Sequence, residues 1–310
     1  MILISSDIRT TVPPPGGVAV WLTGQAGVVI KGVDQTLFID PYLSDMLEQA
    51  TRGTPKAHVR LHPPAVTAAE VDWADLVLCT HRHRDHMDPL ALPEIARVAP
   101  QTRFVVPRPE LALAEEIGIG RERLTGAVPG QRIPLGERGW VEPVPAAHEG
   151  FDQTPTGDYP YLGYIIRLDG VTLYHAGDTL VYDGLAERLR ALQVEIAFLP
   201  INGRDYRRSK IGITGNMSYR EAADLAADAG ARLLVPVHWG MHAVNTERPG
   251  ALVDYAVETY PGLRIRVLGC GEAFLYGPGG QLKERGECGE PLSDAGNQQV
   301  VSRGDCPGWG

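Results

Sequence analysis

Cysteine is scarce in this chain. Of 310 residues only Cys79, Cys270, Cys288 and Cys306 are cysteines, and no two form a C-x-x-C pair. That excludes a dithiol redox motif and makes a reducing cytoplasm the expected compartment. Positive charge is also short. Lys and Arg number 29 against 38 Asp and Glu, a formal net charge of −9, which argues against broad nucleic-acid binding while leaving room for a local basic patch. No apolar run approaches the length of a membrane span, so no membrane association is expected. The start, Met1 to Asp7, lacks the basic region and the long apolar core of a signal peptide. What remains is an ordinary globular composition, 44% hydrophobic and 22% charged. The length exceeds one average domain but suits one large α/β sandwich with a sizeable core.

Against this background one segment stands out. Thr80 to His86 reads T-H-R-H-R-D-H, which places His81, His83, Asp85 and His86 within an H-x-H-x-D-H pattern. Two histidines two apart on an extended or turning backbone can face one metal. The following Asp and His then reach a second metal close by. Dense imidazole with carboxylate suits zinc, manganese or iron, whereas calcium and magnesium prefer oxygen shells. The apolar run from Ala74 to Cys79 predicts a buried strand leading into this loop, and Asp88-Pro89 opens a helical pattern through Leu90, Leu92, Ile95 and Ala96.

Three further strand ends carry ligand-type residues. His148 follows a strand beginning near Trp140, Asp178 follows Val171 to Tyr174, and His238 follows Leu233 to Val237. Strand ends that share one rim are a common way to assemble a site, so the set points to a metal centre.

The order H-x-H-x-D-H, then a lone His, then G-D-[ST], then a last His, resembles the metallo-β-lactamase superfamily. Phe38-Ile39-Asp40-Pro41, Tyr174 to Asp178, Ile201 to Asp205, Thr214 to Met217 and Pro236-Val237-His238 are similar to one branch, the L-ascorbate-6-phosphate lactonase-like hydrolases. The resemblance spans about residues 17 to 276. It implies a four-layer αβ/βα sandwich. It implies a first metal on His81, His83 and His148, a second on Asp85, His86 and His238, and Asp178 bridging the two. The lactonase lacks a histidine at the position of His148, where this chain keeps the general superfamily pattern. Manganese follows from the lactonase likeness; the full histidine set suits zinc equally. Two close cations would turn a bound water into hydroxide near neutral pH. Asp85 would also orient that nucleophile and relay its proton.

Around this set, Asp40 is expected to support the H-x-H loop and His175 to serve the core or hold a ligand in place. Substrate contacts are expected from Arg204, from Arg60, and from Asn216 at the opening of a helix that either it or Ser218 caps. His242 either lines the substrate pocket or sits on an exposed loop. His58 and His62 read as surface or lid residues. Arg207, Arg208 and Lys210 read equally well as a solvated loop, and Cys79 as a small core residue.

In organisation, residues 1–16 read as an N-terminal arm, 17–276 as the hydrolase domain, and 277–310 as a Gly-rich C-terminal tail that is mobile or makes an oligomer contact. Residues 43–70 read as a loop-rich insertion that covers the site. The function expected is a metal-dependent hydrolase with two divalent ions, opening a lactone of the sugar-phosphate type. The alternative is a phosphodiesterase on a small or nucleotide-like diester. Its expected partner is a small anionic substrate, with homo-oligomers allowed. A binding protein would be expected to have lost ligands, and the chain is too short beyond His238 for the flavin domain of a flavodiiron protein.

Overall fold

In the computed structural model, residues 4–148 and 150–283 are described. The strands are β1 (Val18–Gly24), β2 (Gly27–Lys31), β3 (Thr36–Ile39), β4 (Leu76–Leu78), β5 (Arg103–Pro107), β6 (Leu124–Ala127), β7 (Ile133–Pro134), β8 (Gly139–Pro145), β9 (Leu162–Leu168), β10 (Val171–His175), β11 (Ile196–Pro200), β12 (Leu233–Val237), β13 (Arg264–Ile265), β14 (Ala273–Gly277) and β15 (Gln281–Lys283). The helices are α1 (Ile4–Thr10), α2 (Met46–Thr51), α3 (Ala91–Val98), α4 (Leu111–Glu116), α5 (Leu185–Ala191), α6 (Tyr206–Lys210), α7 (Tyr219–Asp228) and α8 (Pro249–Thr259).

The strands form two sheets. One runs β15-β14-β1-β2-β3-β4-β5-β6 and the other β13-β12-β11-β10-β9-β8-β7. Side-chain alternation decides what each face covers. In β1, Val18, Val20 and Leu22 join the core between the sheets, while Ala19 and Trp21 turn to the outer face. In β12, Leu233, Val235 and Val237 point inward and Leu234 outward. Because both faces are covered, these strands read as unbroken apolar runs rather than as alternating ones. Ile4 and Ile8 of α1, Leu92 and Ile95 of α3 and Ala114 of α4 pack on the outer face of the first sheet. Leu185 and Leu189 of α5, Ala222 and Leu225 of α7 and Leu252 of α8 cover the second. The result is the four-layer αβ/βα sandwich.

Strand direction sets where the site lies. β3 and β4 are parallel neighbours, as are β10, β11 and β12. β8 and β10 each pair antiparallel with β9, so they too run the same way. The carboxyl ends of β8, β10 and β12 therefore share one rim, as do those of β3 and β4.

At both ends the packed body extends beyond residues 17–276. The segment expected to be an arm contains α1, whose Ile4 and Ile8 are fully buried. Past Gly277, β15 pairs antiparallel with β14. The rest of the expected tail, with Cys288 and Cys306, lies outside the described residues. No described helix is long and apolar enough to cross a membrane.

Candidate metal centre

The residues of the H-x-H-x-D-H loop turn sharply after β4. His86 and Met87 both donate backbone N–H bonds to the His83 carbonyl. Asp88, fully buried, ties the loop down at both sides. Its carboxylate accepts from the amides of Leu43 and Ser44 and from those of Leu90 and Ala91 at the start of α3.

Asp40 is the hub beneath the loop. Its Oδ1 accepts from the Thr80 amide at 2.8 Å, and its Oδ2 accepts from the Thr80 hydroxyl and from His86 Nδ1, both at 2.7 Å. These bonds assign the tautomers. His86 carries a proton on Nδ1, so once the ring is neutral, as a metal ligand must be, its lone pair is on Nε2. The Thr80 hydroxyl gives its proton to Asp40, so its oxygen accepts from His81 Nδ1 at 3.0 Å, and the lone pair of His81 is again on Nε2. A carboxylate that orients a ligand histidine from behind is a general feature of metal sites.

Three ring nitrogens approach one another. His81 Nε2 lies 2.9 Å from His83 Nδ1, which lies 3.3 Å from His148 Nε2. A cation about 2.0–2.1 Å from two tetrahedral nitrogens holds them roughly 3.3 Å apart. Beside them, His238 Nε2 lies 3.6 Å from Asp85 and 3.4 Å from Asp178, and His86 Nε2 lies 3.3 Å from Asp178. His81, His83 and His148 form one candidate cluster, and Asp85, His86 and His238 another. Asp178 joins His81 and His86 between them. His86 Nε2 and Asp178 Oδ1 are buried with no hydrogen-bond partner, which a cation would supply. This donor set, imidazole with carboxylate, fits two divalent ions of the zinc or manganese kind.

The electrostatics divide the two clusters. Burial, helped by neighbouring rings, pushes His81 and His83 down and takes His148 to about 4. These rings are neutral at pH 7 and ready to ligate. Burial opposes charge on His86 and His238 too, but the surrounding carboxylates outweigh it. His86 is raised well above its ordinary value and His238 to about 9. Burial pushes the Asp85 and Asp178 carboxyls up, yet the His86 and His238 rings hold both well below the usual carboxylate range. Without a metal, the second cluster is therefore a set of ion pairs that protons, in place of a cation, hold together.

Backbone strain is concentrated here. Gln25, Asp40 and His238 are non-glycine residues with φ of 53°, 47° and 59°. Gly177 precedes Asp178 with φ of 60°, and a Cβ there would come within 2.8 Å of Thr80 Cβ and of the Leu162 carbonyl oxygen. Only glycine lets this turn pass so close to the loop. His175 fixes the same turn. Its Nε2 donates to the Ala26 carbonyl at 2.8 Å and its Nδ1 accepts from the Gly177 amide at 3.2 Å. Both of its ring nitrogens are thereby engaged by backbone groups.

Two participants were not foreseen from sequence. Gln25, in the β1–β2 turn, donates from Nε2 to Asp85 at 2.9 Å and lies 3.1 Å from His238 Nε2. Tyr161 packs its ring against His81, His83 and His148. The expected substrate contacts fare unevenly. Arg204 makes a two-point ion pair with Glu221 at 2.7 and 2.9 Å and donates to the Asn216 carbonyl. Its guanidinium is thus spent on the cap of α7, where Ser218, not Asn216, is the capping residue. Asn216 is fully buried and donates to Asn202. Arg208 likewise bonds Asp205 and the Asn202 carbonyl. His242 is not an exposed loop residue, since it is fully buried, and His58 is buried beside it. The 43–70 insertion docks on this corner: Leu61 donates to the Met241 carbonyl, and Arg60 bridges to His242.

The fold and these paired clusters define a class. A family model described as the beta-lactamase superfamily domain matches residues 35–239. The chain belongs to the metallo-β-lactamase superfamily. Within it, a UPF0173 metal-dependent hydrolase of Thermococcus kodakarensis is 33% identical over 232 residues, 72% of this chain and 84% of that relative. A UPF0173 metal-dependent hydrolase of Methanoregula boonei is 28% identical over 83% of this chain and 97% of its own length. In structure, the chain is similar to Igni18, a metallo hydrolase from the archaeon Ignicoccus hospitalis, with a TM-score of 0.61 and 21% identity over 83% of this chain and 97% of that one. That last likeness concerns the fold.

Proposed function

We propose that this chain is a dinuclear metal-dependent hydrolase that opens a small lactone of the sugar-phosphate type. The observation that carries the reading is the convergence of His81, His83, Asp85, His86, His148, Asp178 and His238 on one rim, with two candidate ligand clusters that share Asp178's neighbourhood. The first ion would be held by His81, His83 and His148, and the second by Asp85, His86 and His238, with Asp178 between. Bound divalent ions supply hydroxide at neutral pH and polarise the attacked oxygen. Asp85, which accepts from the Gln25 amide and whose carboxyl lies well below the usual carboxylate range, would orient the nucleophile and take its proton. Tyr161 packs its ring against His148 on the histidine side of the site, with centroids 5.1 Å apart.

The alternative, a phosphodiesterase on a small or nucleotide-like diester, would use the same two ions. In the cationic loop Arg204 and Arg208 pair with Glu221 and Asp205, which leaves Arg207 and Lys210 and so less charge than four cations would offer a nucleic-acid backbone. The test is elemental analysis of the purified protein joined to hydrolysis of a sugar-phosphate lactone, a neutral lactone and an aryl phosphodiester. About two metals per chain with lactone turnover is the expected result. Turnover of the diester alone would replace the lactone reading. Little bound metal in the purified protein, with no activity after zinc or manganese is added back, would end the hydrolase reading.

A further inference from the structure

Next to the second cluster lies a group of polar side chains that the proposed chemistry does not use. Arg60, at the docked end of the insertion, stacks its guanidinium 4.8 Å above the Tyr42 ring and donates from Nη1 to the Ser44 carbonyl at 2.5 Å. Tyr42 packs against His242 with ring centroids 5.9 Å apart, and His58 meets His242 edge-on at 5.2 Å. His242 is 0% exposed and Tyr42 1%. The Tyr42 amide donates to the carbonyl of Asp40, whose carboxylate holds His86, and His242 follows His238 by four residues, which places the group beside the second cluster.

Four side chains here each have one unmet atom; in His58 it is Nδ1, which donates or accepts according to its tautomer. Arg60 Nη2 is buried without an acceptor, and so is the proton of the Tyr42 hydroxyl, which lies near the Leu47 amide. His242 Nδ1 lies 3.2 Å from the Val59 carbonyl. A carbonyl only accepts, so Nδ1 bears the proton. Burial takes the ring down to about 4, so at pH 7 Nε2 is a bare lone pair, and it too is buried without a partner. Leaving such groups unpaired costs about 1–3 kcal/mol each. Apart from His58 Nδ1, the unmet set is two donors, one of them permanently cationic, and one acceptor. A metal ion does not suit it, because the guanidinium repels a cation. An anion alone does not suit it either, because it offers nothing to the lone pair.

We propose that Tyr42, Arg60 and His242 form a substrate subsite beside the metal centre that takes an ionised acid group carrying a neighbouring hydroxyl. The anion accepts from Arg60 and Tyr42, and the hydroxyl donates to His242 Nε2. His58 holds the imidazole edge-on and is a positioning residue. The subsite rests on the lactone reading for its role, since a hydroxylated acid is what lactone opening yields, but its binding chemistry is tested separately.

The test is calorimetric titration of the zinc-loaded full chain with sn-glycerol 3-phosphate and with methyl phosphate, which lacks the hydroxyls. Glycerol 3-phosphate should bind at least about tenfold tighter, the scale expected when a buried polar group is left unpaired by the lesser ligand. His242→Phe should erase that preference, and Arg60→Met should weaken both ligands by about tenfold or more. Metal content and thermal midpoint are read on each variant. If either folds poorly, Tyr42→Phe removes only the hydroxyl and should weaken both ligands several-fold. Equal binding of the two phosphates to the wild type, or affinities unchanged in the well-folded variants, overturns the subsite. A retained preference for glycerol 3-phosphate in a chain that turns over no lactone would leave the subsite standing and remove the lactone reading.

Discussion

His83 and Asp178 are the residues on which the site depends most, for different reasons. His83 Nδ1 is the nitrogen between His81 and His148, within 2.9 and 3.3 Å of each. Asp178 is the carboxylate that approaches His86, His148 and His238. His83→Ala or Asp178→Ala is expected to abolish hydrolysis and lower metal content per chain, with circular dichroism unchanged. Full metal occupancy with retained turnover in both would remove them from the ligand set. Not all of the centre was legible at this scale. The candidate ligand histidines and Asp178 could be read because they fall at or just beyond the ends of apolar runs. Gln25 and Tyr161 could not, since each is one polar residue in a turn or loop and its partners lie far along the chain. Arg204 read as a free cation because sequence shows a charge without its partner. Yet Ser218-x-x-Glu221 is a capping box in plain view, and Glu221 serves both the cap and Arg204.

Among elements, α1 shows how far packing overrides local signal. It has seven residues, too few to be stable alone, and its sequence alone suggests an arm. What holds it is Ile4 and Ile8 sealed against the first sheet, together with Asp7, which accepts from the buried Trp21 indole at 2.8 Å. Ile8→Ala is expected to cost roughly 2–5 kcal/mol, whereas Val12→Ala, at a residue 82% exposed, should fall within about 0.5 kcal/mol. Denaturant midpoints check this, and equal small effects would mean that α1 is only loosely docked. The longer elements were easier to see. β12 follows the expected span, Leu233 to Val237, because five consecutive apolar residues buried on two faces leave no competing pattern. β15 is a three-residue strand that exists only through its pairing with β14, and nothing in Gln281 to Lys283 announces it.

For the whole molecule, the buried histidines make stability depend on pH in a way that reveals whether metal is present. His148 and His242 fall to about 4 in the folded chain from an ordinary 6.5. Between those values the unfolded chain binds more protons, so acidification from 6.5 toward 4 destabilises the fold. His238 is raised to about 9, so in the metal-free protein its contribution is fully present below 6.5 and is lost as pH rises toward 9. The chelated protein should therefore melt highest near pH 6.5 and lower on either side. With zinc bound, His86 and His238 give up those protons, and the alkaline decline should disappear. A melting temperature that stays flat from 6.5 to 9 after chelation would contradict this charge assignment.

The β1–β2 turn closes on the end of β12. The Gln25 carbonyl accepts from the His238 amide at 2.7 Å, and the Gln25 side chain reaches Asp85. Three segments separated by 60 and 213 residues thus meet at a single point. The second cluster consequently waits, as the chain is made, for β12. A ribosome-bound chain that has not yet released His238 has six of the eight strands of its first sheet, lacking β14 and β15, and cannot bring His238 to Asp85. Capture of an ion by this cluster would therefore report that the β1–β2 turn, the loop after β4 and the end of β12 have come together across the two sheets.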